Sequence, residues 1–191
     1  MTTTRSKLTF EDYLSYDDGT DSRYELVEGY LVTMPPESGL NDWIALNLRD
    51  ELVRLVSRYL VRVHTCELEV PVIKAGQPQN RYPDVVVLEP EHMALIEKRL
   101  TIRLSVPAPD LVVEVVSLGD ENVQRDYQDK REQYQARGIP EYWIVDPQQR
   151  LVTVLELVLG QYVEVGKFRG SDRIQSKRFE GLPLTVEQVL G

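Results

Sequence analysis

The 191-residue sequence predicts an α/β (α+β) fold, and three features predict it. Val85–Leu88, Leu111–Val116 and Tyr142–Val145 are short, nearly continuous apolar runs, which suit strands covered on both faces. A helix-length segment, Asn122–Arg137, separates the last two and is closed by Gly138, with Pro140 beyond. Strand, helix, strand at these lengths reads as a βαβ crossover and hence as a parallel pair. Third, paired β-type segments occur near both ends. Tyr24–Val27 and Tyr30–Val32 flank Glu28-Gly29, and Leu151–Val158 precedes Tyr162–Phe168. These read as an N-terminal and a C-terminal β-hairpin.

The remaining elements follow in chain order. Thr9 heads a short helix through Leu14, with Glu11 and Asp12 in its first turn. Ile44, Leu48, Leu52, Leu55 and Tyr59 recur at intervals of four, four, three and four, which predicts a helix to Tyr59. Arg54, Arg58 and Arg62 would form a second stripe on it, either a phosphate-facing edge or a solvated face. Glu67–Ile73 alternates, with Leu68, Val70 and Val72 inward and Glu67 and Glu69 outward, as in a half-buried strand. Residues 76–80 form a turn, and Leu184–Leu190 a last short helix.

The length predicts one domain, residues 1–191, with a core of its own. The chain is 42% hydrophobic and 28% charged, as in ordinary globular proteins. No stretch approaches the ~20 apolar residues of a membrane span. Met1–Lys7 is polar and leads into no apolar stretch, so no signal peptide is expected and a cytoplasmic location is. One cysteine, Cys66, and two histidines leave no internal disulfide and no zinc cluster. A net charge of −9 argues against bulk electrostatic coating of nucleic acid, where a basic footprint is expected. It leaves room for a nuclease whose acidic site binds cations.

Three residues break the apolar pattern. Glu114 shares a strand face with Val112 and Val116, and a carboxylate there is costly unless paired or bound to metal. A strand-end glutamate reaching solvent or an arginine is the plain alternative. Lys130 falls in the helical stripe Val123, Tyr127, Lys130, Tyr134, spaced four, three, four. A snorkelling stem between tyrosines, or a surface pair with Asp126, would also account for it. Asp84 follows Pro83 into an apolar strand and reads either as a site residue or as a turn residue. Two carboxylates can hold Mg²⁺ through oxygen ligands, and a nearby lysine can orient water and support developing charge.

Pro83-Asp84 followed by Glu114 on an apolar strand resembles the PD-(D/E)XK restriction-endonuclease-like nucleases. Five segments resemble more closely the Uma family of bacterial endonucleases, a group long carried as a domain of unknown function. They are residues 24–29 (YELVEG), 81–84 (RYPD), 109–117 (PDLVVEVVS), Lys130 with Tyr134, and 138–147 (GIPEYWIVDP). The resemblance runs from about Phe10 to the C-terminus. It implies a restriction-endonuclease-like mixed central sheet flanked by helices, with metal on Asp84, Glu114 and the backbone carbonyl of Val115. It further implies Glu25 as an acidic contributor, Tyr134 as a site-lining partner, and a homodimer. The superfamily's strand lysine falls here at Val116, and the Uma pattern supplies Lys130 from the following helix instead.

The expected function is therefore a Mg²⁺-dependent endonuclease on DNA, with Mn²⁺ as an alternative ion. The competing expectations are a catalytically silent binding or assembly module, and a different metal-dependent hydrolase on the same sheet. Trp143 and Cys66 read as core residues. His64 and His92 lack partners at useful spacing and read as structural or surface residues.

Overall fold

The computed structural model describes residues 7–95, 99–117, 119 and 125–191. Thr9 caps α1 (Phe10–Leu14) through a reciprocal box with Asp12. β1 (Tyr24–Val27) and β2 (Tyr30–Thr33) form the N-terminal hairpin. Its turn places Glu28 at φ +50° and Gly29 at φ +87°, the double left-handed geometry of a tight two-residue hairpin loop. Ser38 caps α2 (Gly39–Leu52). Then come β3 (Val61–Val63), β4 (Glu67–Glu69), β5 (Asn80–Arg81), β6 (Val85–Val87), β7 (Thr101–Ile102) and β8 (Leu111–Val115). A π-turn, Arg125–Asp129, leads into α3 (Lys130–Arg137). β9 (Glu141–Asp146), β10 (Leu151–Val158), β11 (Gln161–Arg169) and α4 (Val186–Leu190) complete the order.

Six strands make the central sheet in the order β11-β10-β9-β8-β6-β3. β8 and β9 are parallel, as the crossover predicts, while the other neighbours are antiparallel, so the sheet is mixed. Val85, Val87, Val113 and Val115 pack with Trp143 against Ile44, Leu48 and Leu52 of α2 and against α4. Val86, Val112, Val116 and Ile144 face the other way, onto Tyr134, Ile139 and Tyr142. Both faces are covered, which is why these strands read as unbroken apolar runs. Each buried valine or leucine contributes about 1.5–3 kcal/mol. A smaller sheet, β5-β4-β7, and the N-terminal hairpin stand beside this core. Among the described residues no helix is long and apolar enough to cross a membrane.

Two sequence expectations are corrected. The helix predicted to Tyr59 ends at Leu52, and Leu55 and Tyr59 are exposed. Val61–Val63 is β-branched and pairs with Val85–Val87, so Arg62 lies in a strand opposite Val86 rather than on a helical arginine stripe. The strand predicted over Glu67–Ile73 stops at Glu69, because Pro71 has no N–H to give to a ladder, and Val72 is exposed. Glu67, expected outside, is buried and bound by Tyr13, Asn80, Arg99 and Thr101. In the crossover helix, residues 122–124, Val123 among them, lie outside the described residues.

Candidate active site

The central strands set the site. β6 and β8 are antiparallel with Val85 opposite Val113, so the same register carried one residue further sets Asp84 opposite Glu114. Opposed residues in such a pair point to one face, with Cβ atoms about 4.5–5.5 Å apart. The backbone ties the two together, since the Val115 N–H donates to Asp84 Oδ2 at 2.6 Å.

Lys130 comes to Glu114 from the crossover helix. Its Nζ lies 2.7 Å from Glu114 Oε2 and 2.7 Å from Asp126 Oδ1. The Tyr134 hydroxyl donates to Glu114 Oε1 at 2.5 Å. The π-turn widens the helix by a residue where Asp126 and Lys130 both turn inward. Tyr134 stacks edge-on against Tyr142 at 5.1 Å and has no exposure, so it braces Glu114 from the core side rather than lining the cleft.

The charges explain the ionisation. Burial, with Asp84 and Asp126 nearby, lifts the Glu114 carboxyl from its ordinary 4.5 to about 7, against the pull of Lys130. Burial alone would depress Lys130, but Asp126 and Glu114 hold its ammonium above the ordinary lysine value. Burial and then Glu114 raise the Tyr134 phenol well above its usual range. Asp84, Glu114 and Asp126 lie around Lys130, and Arg125 pairs with Asp126 at 3.4 Å, so the crowding of acids is what favours the protonated Glu114.

A cleft of about 390 Å³ opens over these residues. Asp84, Glu114, Val115 and Lys130 form its floor, with Arg125, Tyr82, Glu25 and the segment Val32–Ser38 around them. Glu25 is held by Arg81 at 3.1 Å, which Gln133 supports in turn. The Val115 carbonyl accepts from Asn41 Nδ2 at 3.2 Å and keeps its second lone pair.

Two further residues enter at Asp84. Glu37, His64 and Asp84 each offer a ligand atom, and these atoms lie within 4.8 Å of one another. The His64 N–H donates to the Asp84 backbone carbonyl at 3.1 Å. Its Nδ1 lies 3.3 Å from Asp84 Oδ1 and its Nε2 3.4 Å from Asp42 Oδ1. Neither ring nitrogen has hydrogen-bond geometry, and both are buried. Burial works against the charged imidazole, but Asp84, Glu37 and Asp42 raise its pKa above the ordinary value. Burial and then Asp84 raise the Glu37 carboxyl. An imidazole standing 3.3 and 3.4 Å from two carboxylates, without hydrogen-bond geometry to either, fits a divalent cation as a ligand set.

The family model described as "Putative restriction endonuclease", Uma2, matches residues 10–187. The chain belongs to the Uma2 family. A search of curated proteins gave no match. Among solved structures, this Uma2 chain is similar to a protein from Anabaena variabilis ATCC 29413, titled a "putative nuclease belonging to DUF820". The two share 16% identity with a TM-score of 0.65, over 96% of this chain and 97% of that one, which is a likeness of fold.

In the Uma2 chain, then, Asp84, Glu114, Val115 and Lys130 meet in one cleft, with Glu25 on its wall and Tyr134 behind Glu114. Sequence reasoning missed Glu37, His64 and the inward role of Asp126. Extending α2 to Tyr59 hid β3, and with it the fact that His64 leaves β3 directly beside Asp84.

Proposed function

We propose that this Uma2 protein is a Mg²⁺-dependent endonuclease that hydrolyses DNA phosphodiester bonds, with Mn²⁺ able to replace Mg²⁺. The observation that carries this reading is the convergence of Asp84, Glu114 and Lys130 in one cleft, with Lys130 Nζ 2.7 Å from Glu114. Asp84, Glu114 and the Val115 carbonyl would hold the ion. Each carboxylate has about four lone-pair sites, so Glu114 keeps capacity beyond its bonds to Lys130 and Tyr134. When bound, the cation neutralises the phosphate and lowers the pKa of a water.

The chain's own groups supply the rest. Lys130 is an ammonium with no lone pair, so it serves as a donor and positive charge, not as a base. It can orient a water or meet charge developing on a phosphate oxygen. Tyr134 and Asp126 fix Glu114 and Lys130 in place. Arg125 lines the same cleft and can pair with a neighbouring phosphate. We expect a homodimer, supported by Leu40, Trp43 and Leu46, which stay exposed along one side of α2.

A silent binding module would be favoured by a Lys130 head in solvent, far from both carboxylates. Lys130 Nζ instead lies 2.7 Å from Glu114 Oε2, which supports the nuclease reading. The test offers purified protein supercoiled plasmid, linear duplex, single-stranded DNA and a small aryl phosphodiester, with Mg²⁺ or Mn²⁺. Nicking of plasmid is expected. Hydrolysis of the small ester with all DNA left intact would point instead to a different hydrolase.

A further inference from the structure

We propose that His64 and Glu37 are ligands of the divalent cation at Asp84, and that the nitrogen ligand makes the centre bind Mn²⁺ more tightly than the Mg²⁺ it also accepts. The proposal rests on the nuclease reading for its location, but not on cleavage for its proof.

Four observations carry it. First, ligand atoms of Glu37, His64 and Asp84 lie within 4.8 Å of one another, so a closure of a few tenths of an ångström brings all three to one ion at bonds of about 2.0–2.3 Å. Second, both imidazole nitrogens are buried without hydrogen-bond geometry, and the carboxylate oxygens they face stand off at 3.3 and 3.4 Å, longer than a close charged pair. Third, the two nitrogens face different carboxylates. Nδ1 looks to Asp84 at 3.3 Å and Nε2 to Asp42 at 3.4 Å. That is the arrangement in which one ring nitrogen takes the metal while the other donates to an outer carboxylate. Fourth, His64 holds φ +55°, a left-handed conformation uncommon outside glycine, and this turn directs the ring onto Asp84 as the chain leaves β3.

The chemistry sets the selectivity. Mg²⁺ takes hard oxygen ligands and keeps its waters, whereas an imidazole favours first-row transition ions. Glu37, from the segment before α2, adds a carboxylate on the open side of the cleft. Asp84 then links the two halves: Oδ2 is fixed by the Val115 N–H, and Oδ1 faces His64.

The chain has two histidines, which makes the test simple. His92 is fully committed, with Nδ1 accepting from the Glu89 N–H and Nε2 at 2.9 Å from the Pro107 carbonyl. Electron spin-echo spectroscopy of the full chain with Mn²⁺ should show ¹⁴N coupling, and His64→Ala should abolish it. Calorimetry should show Mn²⁺ affinity falling about 10-fold or more in His64→Ala and in Glu37→Gln, with Mg²⁺ affinity changing about threefold or less in His64→Ala. Asp42→Asn should weaken Mn²⁺ several-fold while keeping the ¹⁴N signal. Should His64→Ala misfold by circular dichroism, the wild-type spectrum decides alone. Bound Mn²⁺ without ¹⁴N coupling, or no Mn²⁺ binding at all, overturns the proposal. Plasmid cleavage without ¹⁴N coupling would remove this inference and leave the nuclease reading. Coupling without cleavage would do the reverse.

Discussion

At the scale of single residues, the acids crowded around Lys130 set the ionisation of the cleft. Glu114 is raised to about 7 from 4.5, so below neutrality an incoming cation has to displace its proton. Divalent-cation affinity should therefore rise as pH goes from about 6 to about 8, and calorimetry across that range checks it. The same shift has a stability consequence with a definite sign. A carboxyl whose folded pKa is raised contributes stability that is full below 4.5 and is lost as pH rises through about 7. Cation-free protein should accordingly melt at a lower temperature at pH 8 than at pH 6, and Glu114→Gln should flatten that difference. Tyr134→Phe removes one of the two groups that hold Glu114 and leaves a buried oxygen short of a donor. We expect a loss of about 1–3 kcal/mol in stability and about 10-fold in cation affinity. Unchanged affinity would reduce Tyr134 to packing.

At the scale of elements, the chain's legibility was uneven for physical reasons. Val85–Leu88, Leu111–Val116 and Tyr142–Val145 are readable because strands covered on both faces lose their alternation and become nearly continuous apolar runs rich in β-branched and aromatic residues. Lys130 was readable as inward because it broke an apolar stripe, and Glu114 because a carboxylate broke a buried run. The end of α2 was not readable, since Leu55 and Tyr59 continue its spacing while lying exposed. Only the pairing of Val61–Val63 with Val85–Val87 decides that boundary, and such pairing is not local in sequence. His64 was lost with it. Glu141, at the start of β9, shows another feature hidden from spacing. It accepts from Trp143 Nε1 at 2.6 Å, Ser176 Oγ at 2.6 Å and the Lys177 N–H at 2.8 Å, tying the C-terminal segment to the sheet. Glu141→Ala leaves those donors stranded and should cost about 3 kcal/mol or more in denaturant melts. Gly138 ends α3 at φ +82°, so Gly138→Ala should cost about 1 kcal/mol although a methyl group there meets open space.

At the scale of the whole molecule, the proposed activity on DNA would require the cation for more than chemistry. The net charge is −9, and the cleft floor holds Asp84 and Glu114 with Glu25 and Glu37 on its walls. Duplex binding measured with Mg²⁺ should vanish in chelator, and its salt dependence should be shallow because few phosphates are neutralised by side chains. Sedimentation should give a dimer if the exposed side of α2 is the contact, and Trp43→Glu should shift it to monomer. The most direct test of the central claim is the nicking rate of supercoiled plasmid by wild type and Asp84→Asn, each in chelator, Mg²⁺ and Mn²⁺, with folding matched by circular dichroism. Nicking by wild type is expected with either ion, none in chelator, with a fall of about 100-fold or more for Asp84→Asn. Cleavage that persists in chelator, or that Asp84→Asn retains in full, would contradict it.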